Sequence, residues 1–141
     1  LDVGCAKGFM LFDFYKLNSN FDLYGIDISK YAIDNSLPEV KNNLQVANAV
    51  KLPFKDNFFD LVISINTIHN LEKEDCAIAL KEISRVSKEN AFITVDAFRN
   101  NEEKKRMYAW NLTAKTIMSV DDWTNFFKHN NYNGDFFWFI P

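Results

Sequence analysis

Two glycines near the start of the chain, Gly4 and Gly8, bracket the tripeptide "CAK". Glycines in a turn between a strand and a helix permit positive φ and let a ligand approach the backbone. The helix that follows would present free N–H groups and a positive dipole end to that ligand. About 20 residues further on stands Asp27, an acid at the end of a short apolar run, where a carboxylate can accept ribose hydroxyls. Together, loop and acid point to a ribose-bearing cofactor, either a nicotinamide dinucleotide or an adenosyl compound. Further along, "FFDLVISIN" ends at Asn66 and is followed by His69, and "NAFITVDAF" is followed by Arg99. An imidazole titrates near neutral pH, so His69 is the candidate general base. A capping or partly buried histidine is its structural alternative. Asp96 and Arg99 are candidates for holding a polar acceptor, with a loop ion pair as the alternative.

These residues need elements to bring them together. "LDV" at 1–3 reads as the end of a strand, and 9–17 as a helix with a broad apolar face. Strands are expected at 21–27, 43–49, 58–66, 90–98 and 134–140. Helices are expected at 29–37, 73–87, 101–110 and 119–131, with Ser29 and Ser119 as N-caps. The run at 58–66 is almost wholly apolar, which suits a strand buried on both faces. The Phe cluster at 136–139 is expected in the sheet core. Alternating strands and helices predict an α/β fold: a Rossmann-like, doubly wound, mainly parallel sheet with helices on both faces. In such sheets ligands bind outside the carboxyl ends of the strands, where Gly4, Asp27, Asn48, Asn66, His69, Asp96 and Arg99 all fall.

Composition narrows the classes. The chain has 141 residues, enough for one domain, is 48% hydrophobic and has a formal net charge of −3. The densest basic run, 104–106, directly follows Glu102 and Glu103, so a nucleic-acid partner is not expected. No run approaches the ~20 apolar residues of a membrane helix, and no membrane partner is expected. Cys5 and Cys76 are far apart and show no metal-ligand spacing, so no metal is expected. A cytoplasmic location fits this cysteine usage.

Glycine spacing separates the two cofactor classes. The dinucleotide fingerprint GxGxxG, read from Gly4, meets Ala6 and Phe9, and Phe obstructs the close helix–strand packing that the third glycine serves. The stretch fits D-x-G-x-x-x-G better. With "LDVGCAKG", "YGIDIS" at 24–29, "ANAVKLPFKDNFFDLVISINTIHNL" at 47–71 and "LKEISRVSKENAFITVD" at 80–96, residues 1–98 resemble the class I S-adenosylmethionine-dependent methyltransferases of the broad small-molecule type.

The resemblance implies S-adenosylmethionine as cofactor and a small-molecule methyl acceptor. It places Gly4, Cys5, Ala6 and Gly8 along the methionyl end, with Asp2 supporting the loop. Asp27 takes the ribose hydroxyls and Ile28 lies against adenine. Asn48 and Ala49 meet the adenine edge, and Ile65 and Asn66 sit beside the methionyl group or acceptor. Ala6 stands where the family usually has Gly, and Asn48 where Asp is common. The resemblance also implies a single domain over 1–141, incomplete at the N-terminus and at the C-terminus. Residues 99–118 interrupt the alternation and are a candidate acceptor lid, with Tyr108 and Trp110 as walls. An NAD(P)-dependent oxidoreductase and a non-catalytic adenosyl-binding domain remain as alternatives.

Overall fold

A computed structural model describes residues 1–140. Seven strands form one sheet: β1 (Asp2–Val3), β2 (Gly25–Asp27), β3 (Leu44–Val46), β4 (Phe59–Ile65), β5 (Ser87–Phe98), β6 (Met118–Ser119) and β7 (Asp135–Phe139). The spatial order is β3-β2-β1-β4-β5-β6, and β7 also pairs with β5. Every strand pairing is parallel. β5 serves two partners along one edge, pairing β7 through Phe92–Asp96 and β6 through Ala97 and Phe98.

Five helices connect these strands: α1 (Phe9–Leu17), α2 (Lys30–Asp34), α3 (Lys73–Val86), α4 (Asn101–Trp110) and α5 (Val120–His129). Side-chain oxygens satisfy the first free amides of three of them. Ser29 Oγ accepts from the Ala32 N–H, Asn100 Oδ1 from Glu102 and Glu103, and Ser119 Oγ from Asp122. The helices cover the sheet with two apolar clusters. One joins Cys76, Leu80, Ile83, Trp123 and Phe127 of α3 and α5 to Val62, Ile93 and Val95 of the central strands. The other joins Leu11 of α1 and Ile33 of α2 to Cys5, Val40 and Leu44. None of the described helices is long and apolar enough to cross a membrane.

The expected elements are present, with shorter outer strands and a longer β5, and β6 adds a strand where none was expected, at the end of the stretch 99–118. β2 begins at Gly25 rather than residue 21, and α2 ends at Asp34 rather than 37. β3 stops at Val46 because Asn48 turns the chain, its Oδ1 accepting from the Val50 N–H at 3.1 Å. The Phe cluster departs further from expectation. Phe136, Phe137 and Phe139 are 37%, 66% and 40% exposed, because β7 hydrogen-bonds only to β5 and lies at the sheet margin. Trp138 and Phe136 of that run still pack their rings on the buried Phe127, at 6.0 and 4.9 Å.

Parallel register aligns the strand ends that matter. Val3 pairs with Ile26, Asp27 with Val46, and Ile65 with Thr94. The loops after β1, β2 and β4 therefore emerge side by side. Gly25 allows β2 to lie close to its neighbours: a Cβ there would stand 2.5 Å from Leu44 Cδ2, 2.7 Å from Leu11 Cδ1 and 2.8 Å from Cys5 Sγ. Gly25→Ala should overpack this cluster and cost about 1–3 kcal/mol, measurable as a lower midpoint in urea unfolding with an unchanged slope.

Candidate functional site

The loop after β1 is built on left-handed backbone. Gly4, Ala6 and Gly8 have φ of 89°, 47° and 82°. The N–H groups of Gly4 and Cys5 both donate to Ile26 O, at 2.8 and 2.9 Å, which turns the chain sharply off the strand. Gly4 is packed against the β4 side of the site, where an added Cβ would lie 2.1 Å from Thr67 Oγ1. Ala6 adopts its conformation despite the cost to a residue with a Cβ, and its N–H donates to Asp27 Oδ2 at 2.8 Å. Cys5 is buried, and burial pushes its thiol up to about 12, with the charges of Asp2 and Asp27 adding to the shift. It is a packing residue and not a thiolate nucleophile. Asp2 is buried in β1 directly before the loop. Burial raises its carboxyl to about 6, and the charge of Asp27 adds to the rise.

Asp27 links two elements. Besides the Ala6 contact, its Oδ1 accepts from the Ser29 N–H at 2.8 Å. A carboxylate has about four lone-pair sites, so two backbone N–H groups orient it and leave the rest available. Ile28, next in sequence, is 69% exposed and offers an apolar surface beside that carboxylate. Asn48 is exposed, whereas Ala49 is buried within the main core, so only its backbone is near the strand end.

Ile65 is half-buried at the end of β4. Asn66 follows in the left-handed region at φ 50°. Its side-chain oxygen accepts from the Thr94 hydroxyl at 2.7 Å, and its N–H donates to Thr94 Oγ1 at 2.9 Å. Thr67 and Thr94 were not among the residues expected at the site. The sequence signal for Thr94 is a hydroxyl inside the otherwise apolar run "AFITV" at 91–95.

His69 and Asp96 come together, but inside the wall rather than on its surface. Each is 3% exposed. The Asp96 N–H donates to His69 Nδ1 at 3.2 Å, which leaves the proton of the neutral ring on Nε2, 3.6 Å from Asp96 Oδ2. Burial pushes His69 down to about 4 and raises Asp96. Asp96 Oδ1 has no hydrogen-bond partner among the described residues. The backbone of His69 is engaged as well, its O accepting from Lys115 and Thr116 at 3.0 Å each. Asp96 and Arg99 do not form a joint site, because Arg99 is exposed and paired with Glu103, NH2 to Oε1 at 2.6 Å.

Residues 99–118 form α4 and a segment fastened beneath it, with Thr116 Oγ1 donating to Leu71 O at 2.8 Å. Tyr108 and Trp110 are 57% and 52% exposed on α4. Trp110 packs on Phe139 at 5.1 Å. Lys104 Nζ lies 5.4 Å from the Phe98 ring centre and 6.0 Å from that of Tyr108. A separate apolar cleft of about 540 Å³ opens at the other end of the sheet, between Leu1, Leu11, Tyr24 and Phe58. It contains none of these loops.

Residues 1–95 match the methyltransferase-domain family. The chain is 30% identical over 127 residues to an Arabidopsis thaliana tRNA (carboxymethyluridine(34)-5-O)-methyltransferase, covering 87% of this chain and 29% of that protein. It is 30% identical over 131 residues to the 2-methyl-6-phytyl-1,4-hydroquinone methyltransferase of a Synechocystis species, covering 89% of this chain and 40% of that one. The chain thus spans well under half the length of either relative. The crystal structure of the YcgJ protein from Bacillus subtilis superimposes with a TM-score of 0.72 at 20% identity, covering 92% of this chain and 59% of that chain. That likeness confirms the Rossmann-like fold.

The His69 shift has a defined consequence for stability. The folded ring stays neutral down to about 4, while an unfolded histidine protonates near 6.5. Above pH 6.5 neither state carries the proton, and the shift costs nothing. As pH falls from 6.5 toward 4, the unfolded state gains the proton first and stability declines by about 1.4 kcal/mol per pH unit. The raised Asp96 carboxyl works in the opposite direction, since the folded state takes up its proton first as pH falls. His69→Gln should therefore flatten the acid-side decline in thermal midpoint between pH 6.5 and 4.5, and an equally steep decline in the variant would assign it to other groups.

Proposed function

Because this chain belongs to the methyltransferase-domain family, we propose that it transfers the methyl group of S-adenosylmethionine to a small-molecule acceptor. The observation that carries this reading is the Asp27 carboxylate. It is held by the amides of Ala6 and Ser29, 2.8 Å from each, at the mouth of a left-handed loop. The residues fit the cofactor: an acceptor-only group with open lone pairs for two ribose hydroxyls and an exposed Ile28 for adenine. Gly4, Cys5, Ala6 and Gly8 would hold the methionyl end, with Asp2 beneath them. Asn48 and the backbone of Ala49 would meet the adenine edge, and Ile65 and Asn66 would face the reaction centre.

When bound, the cofactor supplies an activated methyl group on a sulfonium whose leaving group is neutral. The task left to this chain is alignment, which can contribute ~7–11 kcal/mol. In this reading residues 1–141 form one methyltransferase domain, and residues 99–118 wall the acceptor side through Tyr108 and Trp110. The His69–Asp96 couple ties the turn after β4 to β5 and to residues 115–116. To take a proton from an acceptor, His69 would need its Nδ1 lone pair released from the Asp96 N–H that it now accepts. The nicotinamide alternative is not carried forward, since the family matched over residues 1–95 is that of the methyltransferase domain.

A second reading, a base in RNA as acceptor, is favoured by one observation. The tRNA-methylating relative aligns over 87% of this chain, and α4 exposes Tyr108 with Lys104 Nζ 6.0 Å from its ring centre, a pairing of ring and cation suited to stacking a base. The net charge of −3 favours the small-molecule acceptor. Incubation with S-adenosylmethionine labelled on the methyl group, against a small-molecule extract and against bulk tRNA, separates the readings by where the label goes. Label in neither fraction, with cofactor bound, would leave a non-catalytic adenosyl-binding domain.

Two variants test the cofactor site directly. Asp27→Ala should weaken S-adenosylmethionine at least about tenfold in calorimetry, since a hydrogen bond to a charged group contributes ~1.5–3 kcal/mol. Unchanged affinity in a folded Asp27→Ala protein would remove the ribose role. Gly4→Val should abolish binding, because a β-branched residue fits neither the positive φ nor the space beside Thr67. Retained binding would make the loop a simple turn.

A further inference from the structure

The chain from residue 47 to 58 runs between β3 and β4 with neither a helix nor a strand of its own. Its backbone polar groups must find partners elsewhere. At one end the Ala47 N–H donates to Asp27 O at 3.0 Å, so the stretch sets out from the backbone of the acid that ends β2. A tight turn follows, in which Asn48 Oδ1 accepts from the Val50 N–H at 3.1 Å and Asn48 O from the Lys51 N–H at 3.0 Å. The next residue, Leu52, is held by α3. Its N–H donates to Glu82 Oε2 at 2.7 Å, and its O accepts from Arg85 NH2 at 3.1 Å.

Arg85 uses all five of its N–H donors in this one place. Nε and NH2 take the two oxygens of Glu82 as a fork, at 2.7 Å each. NH1 donates to Phe54 O and to Asp56 Oδ1, both at 2.8 Å, and NH2 also reaches Leu52 O. The backbone at the end of α3 adds two more bonds, Arg85 O accepting from Asn57 at 2.8 Å and Val86 O from Phe58 at 2.9 Å. Glu82 and Arg85 stand in the last turns of α3, which lead into the first residue of β5. That is the amino end of the sheet, away from the strand ends that carry Gly4 and Asp27. Building on the proposed cofactor reading, we infer that Glu82 and Arg85 are positioning residues for the nucleoside, fixing Leu52 directly behind the 48–51 turn and so holding Asn48 and the Ala49 backbone in place before the ligand arrives. Ordering the turn in advance spares that cost on binding. A lysine could not take over, since a point charge with three donors cannot span the carboxylate and two carbonyls as the planar fork does.

Two ligands that share the nucleoside, S-adenosylhomocysteine and adenosine, read this role in calorimetry well below each variant's thermal midpoint. Arg85→Met should weaken both by the same factor, roughly three- to tenfold. Arg85→Lys should bind as poorly, and Glu82→Gln, which keeps an oxygen for the Leu52 N–H, should lie between these and wild type. The Leu52 amide should exchange its hydrogen faster in ligand-free Arg85→Met. Ile83→Val, at a buried position of α3 between the pair, is the control for stability alone: a lower midpoint with unchanged affinity. Unchanged affinity in folded Arg85→Met and Glu82→Gln, a matching loss in Ile83→Val, or a loss confined to S-adenosylhomocysteine would overturn the inference. Failure of the wild-type protein to bind either ligand would instead overturn the cofactor reading and this role with it.

Discussion

The site depends on one carboxylate holding two pieces of backbone at once. Asp27 accepts from Ala6 on the loop after β1 and from Ser29 at the start of α2. Without that acceptor, the Ala6 amide would lose its partner at a residue whose left-handed conformation already carries a cost. A charged acceptor gives the stronger class of hydrogen bond, which suits it to stabilising a conformation the local sequence disfavours. The same carboxylate keeps lone pairs free at the strand end, so the group that shapes the loop is also the group a sugar would meet.

The rigid part of the molecule presents this loop cluster without contributing chemistry to it. Parallel pairing of β2, β1 and β4 brings their carboxyl ends into line, and the clusters on either side lock the register, because a slip by one residue would exchange buried and exposed side chains. β4 and β5 then extend the frame through the Ile65–Thr94 pair, which is why a hydroxyl on β5 can reach Asn66. Behind that contact lies the His69–Asp96 couple, a buried polar pair whose members satisfy each other only in part. Such pairs are weak contributors to stability and are sensitive to protonation.

The stretch 99–118 is made of different material. α4 is capped by Asn100 and braced by the Arg99–Glu103 pair. The pair is half-buried, with Glu103 6% exposed and Arg99 largely in solvent. The segment after α4 is fastened instead by backbone bonds to His69 and a Thr116 bond to Leu71. Large apolar side chains remain in solvent there, Leu112 among them at 94% exposure.

Much of this was legible in the residues themselves. The near-continuous apolar run at 58–66 specified a central strand, Ser29 and Ser119 specified helix starts, and the glycine spacing with Asp27 specified a sharp loop after β1 facing an acid at the end of β2. All of these are local properties, set by period, capping and backbone freedom. What required the tertiary structure were meetings between distant residues. Asp27 holds Ala6, Thr94 holds Asn66, and Thr67 fills the space at Gly4, each joining separate elements across the parallel sheet. His69 shows the limit most plainly. Its place after β4 was readable, but its enclosure with Asp96 depends on β5 passing beside the turn at the distance of a hydrogen bond. Burial at that point, and with it the lowered basicity of the ring, is a property of packing, which residue order alone does not encode.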